Sequence, residues 1–347
     1  MLEAIATLVF GGLAFQWGRA IGRVLLRNGA TANDLFKGRN AQSLLFLGLY
    51  VGLVVLALNV PQMQVFPLEW RVYGMQVTWT VLRVVLLGFC GLAYVITWKT
   101  ARSQIVAVVL LGVLGVGGFS TAEAYFLAPI HGELENNLQP NGVFKQTSMS
   151  SCAPSALATV LRQWGIPATE SGIAKLAGTS RLGTSMPQLI LAAREVGLDG
   201  VELSPSWEQM RRINRPGVLG VWLLDGARKL PHAVALLAMN SETVAIGDPA
   251  RGRIYSLNRA QFDRIWRQQY VPIFSSNDIK LSPDQALRYL AQLGYLDSAS
   301  ASLESGVKRF QAAIGLDTTG NLDSQTVLLL TGAFLKNVPT LTTFKIQ

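Results

Sequence analysis

The sequence predicts a multi-domain membrane protein: N-terminal transmembrane helices, then an α+β domain, then a small three-helix bundle. Three observations carry this. Half of the 347 residues are hydrophobic, yet the excess is gathered before about residue 128, in four long apolar runs. Beyond it, helix-like periodicity gives way to short strand-like runs separated by turns, the order of an α+β domain with an antiparallel sheet. From residue 281 come three short segments with helix cap and stop signals.

The runs cover roughly Ala4 to Leu26, Leu44 to Val60, Val77 to Trp98 and Ile105 to Phe126. The first is interrupted by Gln16, Arg19 and Arg23, so it either spans or lies on the surface; it lacks the cleavage site of a removed signal peptide. The second is near the minimum length for a span. Arg19, Arg23, Arg27, Lys37 and Arg39 cluster between the first two runs, and Lys99 and Arg102 lie between the last two. The positive-inside rule places both loops in the cytoplasm and everything after the fourth run outside it. That explains much of the net charge of +9 without nucleic acid, for which no motif is present. Trp70, Tyr73, Trp79, Trp98 and Tyr125 fit interfacial anchors. Gly18 and Gly22, and Gly48 and Gly52, have the spacing of helix-pairing glycines. Arg83 needs a partner inside its span or reaches the interface by snorkelling, and its place near the outer end favours snorkelling.

Residues 129–142 are polar and contain Pro, Gly and Asn, the composition of a linker. In the following domain, helices are expected at about 153–164, 170–177, 186–197 and 206–213. Strands are expected at 217–224, 232–239, 243–247, 252–257 and 271–274.

The chain has two cysteines and two histidines. Cys90 lies in an apolar run and reads as a small buried hydrophobe. Zinc-ligand spacing is absent, which argues against a metallohydrolase. Cys152 sits where a polar loop becomes an apolar-periodic helix, with Pro154 in its first turn. A helix N-terminus carries partial positive charge and favours thiolate over thiol. His232 opens one strand and Asp248 ends the next, so antiparallel pairing would bring them together. His232 would then take the cysteine proton and Asp248 would fix the ring tautomer. Gln146, six residues before the cysteine, would hold an oxyanion together with the Cys152 N–H. Each residue has a bland reading alone: buried Cys, surface His, turn-forming Asp, loop Gln. In this order, with no competing Cys or His, the four point to catalysis.

The stretch QTSMSSCAPSALATVLRQWGIPATESGIAKLAGTSRLGTSMPQLILAAREVGL, with PHAVALLAM and VAIGDPARGRIYSLNRAQFDRIW, closely resembles the C39 and C39-like papain-fold cysteine peptidases. The resemblance covers about 143–275 and implies a papain-like fold with Cys152 as nucleophile, His232 as base, Asp248 as orienter and Gln146 as oxyanion donor. Two positions depart from it: the family often has Asp before the cysteine and Gly after it, where this chain has Ser151 and Ala153. Its best-known members are fused to exporters and remove double-glycine leaders in the cytoplasm. This chain lacks an ATP-binding motif and its domain is expected outside, so that role does not transfer.

In the last unit, Ser282, Pro283 and Gln285 form a helix start, and Leu287, Leu290 and Leu293 an apolar stripe. Helices follow at about 303–314 and 324–330. LAQLGYL, VKRFQAAIGL and TGNLDSQTVLLL resemble the peptidoglycan-binding module of the small three-helix type, over residues 281–335. The resemblance implies binding to cell-wall peptide or glycan, or packing on a protein where wall binding has been lost.

The combined expectation is a multi-pass protein of the bacterial inner membrane with both soluble domains periplasmic or extracytoplasmic. It would hydrolyse amide bonds of protein or peptide substrates. Two alternatives stay open: hydrolysis of peptidoglycan peptide, and a catalytically silent wall-binding scaffold of a secretion assembly. Expected partners are a peptide or protein substrate, peptidoglycan through 281–335, the lipid bilayer and a further membrane protein, with no nucleic acid, cofactor or metal.

Overall fold

The computed structural model of the chain describes residues 2–34, 67–226, 228–296 and 302–342, with a few positions between 48 and 59. It divides into two compact units, Met1–Ala128 and Pro129–Gln347.

The first unit contains α1 (Leu2–Arg27), α2 (Gly74–Thr100) and α3 (Ile105–Phe126). Among the described residues, three helical segments of 25, 27 and 25 residues are long and apolar enough to cross a membrane. At about 1.5 Å per residue each exceeds a hydrocarbon core of roughly 30 Å. The second expected span, Leu44 to Val60, lies outside the described residues apart from isolated positions. The interrupting Gln16, Arg19 and Arg23 do not break α1, because a helix satisfies its backbone whatever its side chains.

Glycines let α1 and α2 touch. A Cβ on Gly18 would lie 1.9 Å from the Gly88 carbonyl oxygen, and one on Gly91 would lie 2.1 Å from that of Phe15. The Gly18/Gly22 spacing is thus used for backbone-to-backbone packing. Cys90 is buried in α2, as its apolar context implies.

Arg83 departs from the snorkelling expectation. It is buried, and its Nη1 donates to Glu123 of α3. Its Nε donates to Thr7 Oγ1 of α1 at 3.2 Å and its Nη2 to Thr80 Oγ1 at 3.2 Å. A carboxylate and two hydroxyls at its own depth give the guanidinium partners without a reach to the interface.

In the second unit, residues 129–142 are folded rather than a free linker. Ile130 and Leu134 are buried with Ala174. β1 (Asn137–Leu138) pairs antiparallel with β2 (Phe144–Lys145), and Gly142 takes the left-handed φ of +83° that closes the turn. The polar composition is that of a hairpin and its flanks.

Next come α4 (Cys152–Gln163), α5 (Glu170–Leu176), α6 (Met186–Glu195), β3 (Asp199–Gly200) and α7 (Trp207–Ile213). The main sheet adds β4 (Gly217–Asp225), β5 (Arg228–Met239), β6 (Thr243–Asp248), β7 (Arg253–Asn258) and β8 (Trp266–Phe274), with α8 (Arg259–Ile265) before β8. The order is β3-β8-β4-β5-β6-β7, antiparallel throughout. This is the expected α+β arrangement. β5 starts earlier than expected, because Arg228 to Leu230 extend a hairpin with β4. α8 was not anticipated; it is a short helix behind an Asn258/Gln261 capping box. Every residue from Ala153 to Leu161 of α4 is buried, so this helix is enclosed on all sides against β4, β5 and β6.

The last helices are α9 (Pro283–Gln292), α10 (Leu303–Ala313) and α11 (Ser324–Thr331). Ser282 and Gln285 form the expected capping box. This bundle does not stand apart. Leu290, Phe310 and Leu329 belong to one hydrophobic core with Val234, Leu236 and Phe274 of the sheet. A Cβ on Gly332 would lie 1.8 Å from the Arg212 carbonyl oxygen, and the Met239 N–H donates to the Leu341 carbonyl at 3.1 Å.

Candidate active site

Cys152 is the first residue of α4 and is half-buried. A serine-rich loop presents it. Ser151, fully buried, donates its hydroxyl to the Ser148 carbonyl at 2.9 Å and accepts from the Ser148 N–H at 3.1 Å. The Ser150 hydroxyl donates to the Arg181 carbonyl at 2.6 Å, tying this loop to the next. Ser151, one of the departures from the C39 pattern, therefore has a local role: a small hydroxyl that closes the turn.

His232 lies on β5 opposite Val221 of β4. Ala235 lies opposite Gly247 of β6, so the end of β6 comes alongside the start of β5. His232 Nε2 and Asp248 Oδ1 are 2.7 Å apart, and both residues are buried. Asp248 Oδ1 also accepts from the Ala250 N–H at 2.9 Å. Nε2 is committed to the carboxylate, which leaves Nδ1 as the ring's other nitrogen.

The electrostatics of His232 follow from these contacts. Burial is the largest single influence and pushes its pKa down. Hydrogen bonds and charge at Asp248 and Cys152 together outweigh it and raise the pKa to about 9. These contacts favour the protonated ring over the neutral one.

Gln146 is the least committed of the four. Its backbone N–H donates to the Pro249 carbonyl at 2.9 Å, which anchors it beside the Asp248 turn. Its Nε2 donates to the Ser148 carbonyl at 2.8 Å, and its Oε1 is buried without a hydrogen-bond partner. One amide proton is used inside the loop and the second is left for a ligand. The structure thus joins His232 and Asp248 in a buried hydrogen-bonded pair within electrostatic reach of Cys152 at the start of α4, with Gln146 on the loop before it.

Sequence reasoning missed Glu170. It is fully buried at the start of α5, and both carboxylate oxygens accept from Thr147, the residue after Gln146. Following Thr169, an N-cap, it reads as an ordinary first-turn acid, and nothing local marks its burial. Among the described residues, no three His, Cys, Asp or Glu side chains are grouped so as to hold a metal ion.

Residues 141–278 match the model of the Peptidase C39 family, and residues 284–330 match that described as "Putative peptidoglycan binding domain". Two relatives are uncharacterised proteins. One, from Methanothermobacter marburgensis, is 33% identical over 145 residues, covering 42% of this chain and 91% of the relative. The other, from Methanothermobacter thermautotrophicus, is 34% identical over 135 residues, covering 38% and 88%. Similar solved structures include the peptidase domain of Streptococcus ComA, a bi-functional ABC transporter involved in a quorum-sensing pathway. It is 19% identical, covers 39% of this chain and 99% of that one, and has a TM-score of 0.36. A periplasmic domain of the EpsAB fusion protein of the Vibrio vulnificus type II secretion system is 14% identical, covering 54% and 82%, with a TM-score of 0.29.

Proposed function

Since the chain belongs to the peptidase C39 family through residues 141–278, we propose that it is a membrane-anchored, outward-facing cysteine peptidase of protein or peptide substrates at the cell envelope. The observation that carries this reading is the buried pair His232–Asp248, with 2.7 Å between Nε2 and Oδ1, in the same domain as a helix that opens at Cys152.

The steps follow from the protonation of His232. In the reacting state its imidazolium faces the Cys152 thiolate. The sulfur attacks the scissile carbonyl carbon, and the oxygen takes the electron pair of the broken π bond. The Cys152 N–H at the start of α4 and the free Gln146 amide proton donate to that oxyanion. As the tetrahedral species collapses, the C–N bond breaks and the imidazolium gives its proton to the leaving amine. Water then attacks the thioester while His232, now neutral, takes a proton from it. The carboxylic acid leaves, and the proton on the ring restores the thiolate–imidazolium pair. Asp248 holds the ring through Nε2.

Orientation rests on charge. Matching contacts of Phe15 with Gly91 and of Gly22 with Leu92 run in the same direction along α1 and α2, so the two helices are parallel. Their C-terminal ends, carrying Arg27 and Lys99, therefore share one side, and the Ala32 N–H donates to Thr100 Oγ1 there at 3.0 Å. Positive residues at that common end support a cytoplasmic face, with the second unit outside.

A second reading is favoured by the match at 284–330: the scissile amide belongs to peptidoglycan peptide. Sacculi incubated with the full-length chain separate the two, since released muropeptides belong to this reading alone.

The deciding experiment is iodoacetamide labelling of Cys152 in the full-length chain in detergent, with Cys90→Ala as background. Labelling at pH 7 at least tenfold faster than in the His232→Gln variant supports the catalytic pair. Equal rates support the scaffold alternative instead.

A further inference from the structure

Where the three-helix module meets the sheet domain, the chain encloses a cleft of about 440 Å³, within the roughly 300–1,000 Å³ usual for ligand pockets. Its walls come from the segment before α9, from α9 and from residues 331–338, with Arg215 of the sheet domain among the lining residues. Neither domain builds it alone.

Arg215 is 1% exposed. Its Nη1 donates to the carbonyls of Ile213 and Leu328 at 3.2 and 3.4 Å, and its Nη2 to Thr331 Oγ1 at 3.2 Å. Its Nε is buried with no hydrogen-bond partner. The nearby carboxylate, Asp278 Oδ2, is 3.9 Å from it and accepts from the Ser275 N–H. Burial also pushes the guanidinium below its ordinary pKa. A buried cation is costly unless opposite charge offsets it, and Arg215, which lines the cleft, lends its positive charge to whatever enters there.

The rest of the lining narrows what that acceptor is. Lys280 and Lys336 are exposed and add two cations, against Asp278 as the one acidic residue of the lining. The ligand is therefore an anion. The rings of Tyr289 and Phe334 stack with centroids 4.1 Å apart and planes 8° apart, forming an apolar wall. Asn277 and Gln285 add amide groups to the lining, with the Gln285 oxygen held by the Ser282 N–H of the capping box. A carboxylate suits the positive charge, and the Tyr289–Phe334 wall suits an apolar side chain of the same peptide.

We propose that this junction cleft binds the carboxylate end of a short peptide, with its carboxylate toward Arg215 and the lysines and an apolar side chain against Tyr289 and Phe334. Two sources share this chemistry, a stem peptide of the cell wall and an acid-ended product of peptide cleavage. Only the first rests on the wall-binding reading.

The test uses the full-length chain in detergent and calorimetric titration. The probes are a disaccharide tetrapeptide purified from digested sacculi, the all-L peptide Ala-Leu-Val-Ala, and the C-terminal amide of that peptide. At least one acid-ended probe is expected to bind. For the all-L peptide, amidation should weaken binding at least tenfold. The double variant Lys280→Glu/Lys336→Glu, at exposed positions, should weaken binding of any acid-ended probe at least tenfold with an unchanged melting temperature. Preference for the disaccharide peptide identifies the wall as source, and preference for the all-L peptide identifies a cleavage product. Equal binding of acid and amide, indifference to the charge reversal, or no binding at millimolar concentration would overturn the proposal. Co-sedimentation with intact sacculi is scored separately. A chain that sediments but binds no acid-ended probe rejects the cleft and keeps the wall reading; one that binds the all-L acid but does not sediment does the reverse.

Discussion

The Glu170 carboxylate and Thr147 are joined by two hydrogen bonds, 2.9 Å from the Thr147 N–H and 3.0 Å from its hydroxyl. The pair fixes the backbone one residue after Gln146. Because Glu170 is fully buried, its carboxyl oxygens rely on those donors rather than on water. Replacing Glu170 by Gln turns one acceptor into a donor facing Thr147. We expect a loss of about 1–3 kcal/mol, read as a lower melting temperature, together with slower iodoacetamide labelling of Cys152. An unchanged labelling rate would limit Glu170 to a structural role.

His232 makes stability pH-dependent in a defined direction. Its folded pKa is raised from 6.5 to about 9. Its contribution is therefore fully present below about pH 6.5 and is lost as pH rises through about 9. The difference at stake is on the order of 3 kcal/mol. Melting temperatures of the wild type and of His232→Gln should converge between pH 7 and 10. Parallel curves across that range would mean that the imidazole is not held by Asp248 and Cys152 as described.

The pair Arg83–Glu123 bridges α2 and α3, and Thr7 brings in α1. Removing one charge leaves the other buried, so Arg83→Met or Glu123→Met alone should cost about 3–5 kcal/mol. The double replacement should recover most of it, because two apolar side chains remove both desolvation penalties. Thermal unfolding of the four proteins in one detergent measures the coupling; additive losses would deny it.

Gly332 holds the three-helix module against the last turn of α7, where a side chain would meet the Arg212 carbonyl oxygen. Gly332→Val should force the two surfaces apart, at a cost of about 1–3 kcal/mol or more. Limited proteolysis should then cut between residues 275 and 283 faster than in the wild type. Equal cutting would show that the shared hydrophobic core alone keeps the module docked.

Much of this was readable along the chain, because local signals suffice for it. Apolar length marked α1, α2 and α3, and cap residues marked the start of α9. Cys152 before an apolar-periodic helix, and His232 and Asp248 on neighbouring strands, marked the candidate triad, since antiparallel pairing constrains which positions meet; the strand begins at Arg228, so His232 lies inside it rather than at its end. Residues 129–142 were read as a linker because hairpin turns and linkers share Pro, Gly and Asn. Arg83 was assigned to the interface because its partner Glu123 is 40 residues away.

What the sequence by itself determined is the order of the elements and the chemistry each can carry. Hydrophobic period, caps and turn residues act over a few positions, and those interactions persist whatever the rest of the chain does. Tertiary structure alone decided which polar groups lose water and what replaces it: Glu170 under Thr147, Arg83 beside Glu123, and Arg215 with an unmet Nε at the junction of two domains. Burial depends on all the surfaces that close over a side chain, and those surfaces come from distant segments whose meeting no local pattern encodes.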